Sequence, residues 1–185
     1  MEKSADLKSA DQSESIRWSK FQAMLDDLAE QNSFQLAHWP QLREISQLSG
    51  FDQFSKQCPF TTKDKLAKDR MDHPPYGTNL TYPLNHYTRF HQTSGTLGVP
   101  MAWLDTPDDW QWMLGNWEVV LENAGVQKGD KCFFAFSFGP FLGFWTAHDA
   151  ANQRGCLCIP GGGQSSEQRI KMILEQKADH LFCTP

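Results

Sequence analysis

The residues with the most chemical potential lie in one short turn, Thr93-Ser94-Gly95-Thr96-Leu97-Gly98-Val99-Pro100. Hydroxyls and glycines this close together make a flexible turn whose backbone N–H and side-chain O–H groups can wrap an anion. The other reading of the same octapeptide is an ordinary hairpin turn. No Gly-Lys-Ser/Thr follows at the spacing of a Walker A loop, and the glycines do not fall in the GxGxxG order. Ser94 has His86 and His91 nearby in sequence, but no G-x-S-x-G elbow surrounds it, which argues against a hydrolase. Cys156 and Cys158 are read as facing opposite sides of an expected strand, and no second Cys/His pair completes a zinc set. His148 beside Asp149 reads as helix surface or core edge, and the other acids form no pair suited to acid–base work. Gly161-Gly162-Gly163 is either a close approach to a ligand or a plain loop. No residue is assigned as catalytic or as a metal ligand.

The elements on either side must hold the turn. Tyr87 to Thr93 is expected to enter it as a strand and Met101 to Leu104 to leave it as another. Thr106-Pro107-Asp108-Asp109 is a helix start, with a threonine cap, proline at the first position and acids in the first turn. Trp110, Met113, Leu114, Trp117, Val120 and Leu121 then form one apolar stripe that reads as core, and Asn123-Ala124-Gly125 ends the helix. Lys131 to Phe136 reads as a strand buried on both faces. Pro140 opens a helix carrying Phe141, Phe144, Trp145 and His148. Cys156 to Ile159 is the next strand, Ser165 caps a helix with Ile170, Ile173 and Leu174, and Leu181 to Cys183 is the last strand. This alternation predicts βαβ units and a parallel sheet, an α/β fold over residues 85–185. Ahead of it, residues 1–14 are expected to be a disordered polar tail, and 15–84 a helical segment with a Pro-rich loop. The expected helices there run from Ser15 to Ala29, from Pro40 to Leu48, and for about two turns after Thr61 and Thr62.

A net charge of −5 with no basic block argues against a nucleic-acid partner. No apolar run approaches the ~20 residues of a membrane span, and the polar N-terminus has no signal-peptide core. Membrane is therefore not an expected partner, and cytoplasm is the expected compartment. The cysteines, an odd count of 5, lie mostly in apolar runs and read as small buried hydrophobes. The chain stops where a parallel strand ends, with no closing helix, so part of a longer protein is expected. A half-sheet with uncovered apolar helices also invites self-association into a homo-oligomer.

The collinear order Pro-Phe-Thr-Thr-Lys-Asp, Phe-His-Gln-Thr-Ser-Gly-Thr-x-Gly-x-Pro, Ala-Gly-Val-x-x-Gly-Asp, an aromatic Phe-Gly segment, Ile-Pro-Gly-Gly-Gly and Cys-Thr-Pro resembles the phenylacetate–CoA ligase family. That family belongs to the adenylate-forming superfamily of acyl-CoA synthetases. The resemblance covers roughly residues 55–185 and implies an incomplete N-terminal part of the adenylate-forming (AMP-binding) large domain. It implies a two-step ligase using ATP with Mg2+, a small-molecule carboxylate such as phenylacetate, and coenzyme A. By the same resemblance Thr93, Ser94, Gly95, Thr96 and Gly98 would cradle phosphates. The segment Phe136 to Gly143 would wall the acyl group, with Phe138, Phe141 and Gly143 in contact.

Two departures stand out. Leu97 replaces the family's second threonine, and Val99 and Met101 stand where many relatives carry a lysine. The family's adenine-binding segment, its magnesium-holding acid and its mobile C-terminal domain all lie beyond this chain. The isolated chain is therefore expected to be inactive. The rival reading is a non-catalytic remnant or interaction module, and an unrelated nucleotide-binding α/β domain is a third.

Overall fold

A computed structural model of the chain describes residues 2–45, 47–93 and 100–184. The chain divides into two compact units, Met1–Leu84 and Asn85–Pro185. Among the described residues, no helix is long and apolar enough to cross a membrane.

The first unit is helical: α1 (Glu2–Gln31), α2 (Ser33–His38), α3 (Leu42–Ile45), α4 (Phe51–Gln57) and α5 (Lys63–Asp72). Helix α1 starts well ahead of Ser15 and runs through the stretch read as a disordered tail. That stretch has no glycine or proline to stop a helix, so a polar run can extend the amphipathic turns that follow. Those turns bury Trp18, Leu25 and Ala29, as their spacing requires. Leu25 and Ala29 pack with Leu42, while Phe21, Trp39 and Phe54 close around them. The helix expected from Pro40 to Leu48 shrinks to α3. Asn32 caps α2 by accepting from the Gln35 N–H at 2.9 Å. Thr62 rather than Thr61 caps α5, which runs for 10 residues rather than two turns.

After a short 3-10 turn (Leu84–His86), the second unit has an antiparallel hairpin of β1 (Arg89–Gln92) and β2 (Ala102–Asp105). Helix α6 (Pro107–Asn123) follows, capped by Thr106 in a reciprocal box with Asp109. Then come β3 (Lys131–Phe134), α7 (Leu142–Arg154), β4 (Leu157–Pro160), α8 (Ser166–Gln176) and β5 (His180–Phe182). Ser165 and Gln168 form a second reciprocal box at α8. Strands β3, β4 and β5 make a parallel sheet in the order β4-β3-β5. The fold is therefore α/β, with a helical first part and a three-stranded parallel sheet.

Alternation along the strands sorts the core. Cys132, Phe134 and Phe136 join Trp110, Leu114 and Leu121 of α6 and Ala147, Ala150 and Ala151 of α7. Phe133 and Ile159, also buried, belong to the opposite face. The alanines let α7 lie close to α6, and the pair is tied by Arg154 of α7. Its guanidinium donates from Nε to the Val126 carbonyl at 2.8 Å and pairs through its terminal nitrogen with Glu118 of α6.

Candidate functional site

Topology alone marks where a ligand would sit. The chain leaves β3, crosses through α7 to β4 on one side, then crosses back through α8 to β5 on the other. Connections that diverge in opposite directions leave a crevice beyond the carboxyl ends of the two diverging strands, where open α/β sheets bind ligands. Here those ends are Ala135 to Phe141 after β3 and Cys183-Thr184 after β5. The segment read as an acyl wall thus falls at the switch point.

The hairpin reaches the same place. The Gln92 N–H donates to the Pro140 carbonyl at 2.8 Å, so the end of β1 is bonded to the wall segment. Thr93 follows β1 directly and bonds across to Met101. Its N–H donates to the Met101 carbonyl at 2.9 Å, and the Met101 N–H donates to its hydroxyl oxygen at 3.0 Å. Only the Thr93 hydroxyl proton is then left to offer an anion. Ser94, Gly95, Thr96 and Gly98, with Leu97, lie outside the described residues. His91, weighed as a partner for Ser94, is 3 % exposed, engages Asp105 Oδ2 through Nδ1 at 2.9 Å and stacks on Trp110.

The wall is aromatic. Phe138 packs on Trp145 with centroids 4.7 Å apart and meets Phe136 and His148 at 5.4 and 5.3 Å. Phe136 stacks on Phe144 at 4.1 Å, and Phe134 on Phe182 at 4.6 Å. Phe141 is 39 % exposed, so its ring offers a flat apolar surface to solvent. Gly143, on the first turn of α7, has open space where a side chain would project. Of the residues expected to meet an acyl group, Phe138 is the inner layer, and Phe141 and Gly143 face outward.

Beside the wall stands a carboxylate that single-residue inspection passes over. Asp149 Oδ2 accepts from Arg89 of β1 at 2.8 Å and from Trp110 Nε1 of α6 at 3.1 Å, while Oδ1 lies 3.2 Å from His148 Nδ1. Arg89 also rests over the Trp110 ring, 4.3 Å from its centroid. The sequence signal was only an adjacent His-Asp pair, because the donors come from 60 and 39 positions away.

Behind the crevice, the Gly161 N–H donates to the Phe134 carbonyl at 2.8 Å. A Cβ at Gly161 would lie 2.7 Å from the Phe133 ring, and one at Gly162 3.2 Å from the Phe136 carbonyl oxygen. The glycine run is therefore a close approach, and what it approaches is strand β3 and the residues that follow it. Arg169 of α8 latches the same ends, donating from Nε to the Gly161 carbonyl at 2.8 Å and from a terminal nitrogen to that of Ala135 at 3.0 Å.

Asp130 and the strand cysteines are structural. Asp130 Oδ2 accepts from the Gln127 N–H at 2.7 Å and pairs with His180 Nε2 at 2.8 Å, which fixes the turn into β3 against β5. These bonds, the backbone one first, hold its carboxyl below the usual range. Cys156 and Cys158 do not face opposite ways: two positions is one full strand period, and both belong to the core face with Cys132. Burial, with the Cys156 thiol as a neighbour, pushes Cys132 up to about 12 and Cys158 to about 11, so these thiols stay protonated and unreactive. Among the described residues, no group of three or more His, Cys, Asp or Glu is gathered for a metal ion.

No family model matches the chain. The phenylacetate-coenzyme A ligase of Pseudomonas putida is 33 % identical over 131 residues, which is 69 % of this chain and 28 % of that protein. Its counterpart in Escherichia coli (strain K12) is 29 % identical over 188 residues, 98 % of this chain and 39 % of its own length. That of Aromatoleum evansii is 30 % identical over 152 residues, covering 80 % and 31 %. The chain thus spans 28–39 % of the length of these curated relatives. Among solved structures, 2-hydroxyisobutyryl-CoA ligase in complex with 2-HIB-AMP and CoA in the thioesterification state superposes with a TM-score of 0.84 at 23 % identity, over 95 % of this chain and 38 % of that one. An open conformation of that ligase, also with 2-HIB-AMP and CoA, gives 0.82 at 22 %, over 93 % and 40 %. At such identity these structures establish the fold.

Proposed function

From a chain that is a partial homologue of the phenylacetate–coenzyme A ligase family, we propose the phosphate-loop and acyl-wall portion of an ATP-dependent carboxylate–CoA ligase. In the first step a carboxylate oxygen attacks the α-phosphorus of ATP, the bond to the bridging oxygen breaks, and an acyl adenylate and pyrophosphate result. In the second the thiol of coenzyme A, losing its proton, attacks the acyl carbon; the thioester forms and AMP leaves. The acyl group is aromatic or apolar, and the partners are small molecules in the cytoplasm.

The observation that carries this reading is the Gln92–Pro140 hydrogen bond. It joins the neck of the hydroxyl-rich turn to the aromatic wall at the switch point of the sheet. A departing pyrophosphate and a bound acid must be neighbours, because the acid attacks the phosphorus beside it. Thr93, Ser94, Gly95, Thr96 and Gly98 serve the phosphates, while Phe138, Phe141 and Gly143 serve the acid. Mg2+ would accompany ATP and offset the charge of its phosphates.

The test is binding and turnover on the 185-residue chain. A non-hydrolysable phenylacetyl sulfamoyl-adenosine should bind through its acyl and sulfamoyl ends, and carboxylate-dependent pyrophosphate release should be absent. Leu97→Thr should tighten pyrophosphate or ATP binding, since a regained charge-assisted hydrogen bond is worth roughly 1.5–3 kcal/mol. Failure to bind any adenylate or pyrophosphate would favour the non-catalytic interaction module, to which Leu97 also points.

A further inference from the structure

Resting on that proposed function, the geometry points to one polar fixture in the aromatic wall: His148 presents a hydrogen-bond acceptor to the acyl group. We therefore infer that the acid is a ring-hydroxylated aromatic acid rather than an unsubstituted one.

The argument begins at Asp149. A carboxylate accepts only, so with Arg89 and Trp110 donating to Oδ2, its Oδ1 is left to accept from His148 Nδ1 at 3.2 Å. Nδ1 is therefore the donor, and in the Nδ1–H tautomer that this bond selects Nε2 holds a free lone pair. The ring cannot readily swing away, because Phe134 lies 5.2 Å, Phe138 5.3 Å and Trp145 6.3 Å from its centroid. Nε2 has no partner among the described residues, yet it is not among the buried orphaned atoms, and the side chain is 23 % exposed. An imidazole oriented by a carboxylate that three elements fix, with its far nitrogen left open beside Phe138 and Trp145, is a site built for one donor. A phenolic hydroxyl on a ring stacked against that wall supplies it. An unsubstituted ring would leave the acceptor without a partner on desolvation, which is how a polar site discriminates against an analogue lacking the hydroxyl.

The test compares phenylacetyl sulfamoyl-adenosine with its 2-, 3- and 4-hydroxyphenylacetyl counterparts by calorimetric titration of the wild-type chain, His148→Phe and His148→Gln. At least one hydroxylated probe should bind wild type roughly fivefold or more tightly than the phenylacetyl probe, the order of one hydrogen bond. His148→Phe should bring that ratio to about one while still binding the phenylacetyl probe, and His148→Gln, whose amide oxygen accepts, should restore part of it. A wild-type ratio near one for all three isomers would overturn the inference and leave the ligase reading standing, as would a preference that survives in His148→Phe. Binding of none of the probes would overturn both.

Discussion

Replacing Gly161 by alanine probes the packing behind the crevice. The added Cβ would sit 2.7 Å from Cε1 and Cζ of Phe133 and 3.0 Å from the Phe134 carbonyl oxygen. Comfortable carbon–carbon contact is ~3.5–4.0 Å, so the overlap approaches ~1 Å. Neither side has an easy escape. Phe133 is 0 % exposed, and the Gly161 backbone is held through its N–H by Phe134 and through its carbonyl by Arg169. Overpacking of this kind costs about 1–3 kcal/mol, and pinning on both sides places this site near 2–3. Reduced entropy of the unfolded chain returns about 0.4–1 kcal/mol. The net is a loss of about 2 kcal/mol, or roughly 8–16 °C in Tm for a unit of about 100 residues. Melting followed by near-ultraviolet circular dichroism reads this directly, because the buried aromatic rings report. Gly163→Ala is the control: nothing lies within 4 Å of its Cβ and only its φ of +73° is unfavourable, so it should lose about 1 kcal/mol. A Gly161→Ala chain that melts with wild type, or above Gly163→Ala, would refute the close-approach argument.

Other outcomes follow from the same geometry. Lys177 ends α8 at φ 52°, where a side chain costs about 1–2 kcal/mol; Lys177→Gly should gain about 0.5–1 kcal/mol after glycine's entropy, read as a higher urea midpoint. At pH 8 the thiol reagent DTNB should react rapidly only with exposed Cys183, a phase that Cys183→Ser removes, while Cys132 and Cys158 react after unfolding. The Asp130 carboxyl is held below its ordinary value, so its stabilisation is full above the unfolded pKa of ~3.9 and disappears as pH falls through the lower folded value. Asp130→Asn should thus be less stable than wild type at pH 7, with the gap closing below about pH 4; a gap constant with pH would contradict the assigned cause.

What the sequence made legible was local. Thr106 and Ser165 name their helix starts because a cap needs only the next three residues, and the buried strands show as short apolar runs. The short helices α2 and α4 leave no such mark, because one or two turns carry no period to read. The expected strand from Lys131 to Phe136 is shorter, because after Phe134 the chain turns into the crevice and its Ala135 carbonyl goes to Arg169. Of the site, the wall could be read from adjacent aromatics. The Asp149 anchorage could not, since it exists only once β1, α6 and α7 have come together.

Arg169 carries a consequence beyond its two hydrogen bonds. Ala135 and Gly161 are neutral acceptors, so binding them orients the guanidinium without cancelling its charge. The carboxyl end of a parallel sheet is fringed with carbonyl oxygens, whose partial negative charge repels anions. A fixed cation among them offsets part of that charge, over a reach of about the ~8 Å Debye length of physiological salt. On the proposed function, the residue that ties the strands together would also favour a carboxylate or a phosphate that it need never touch.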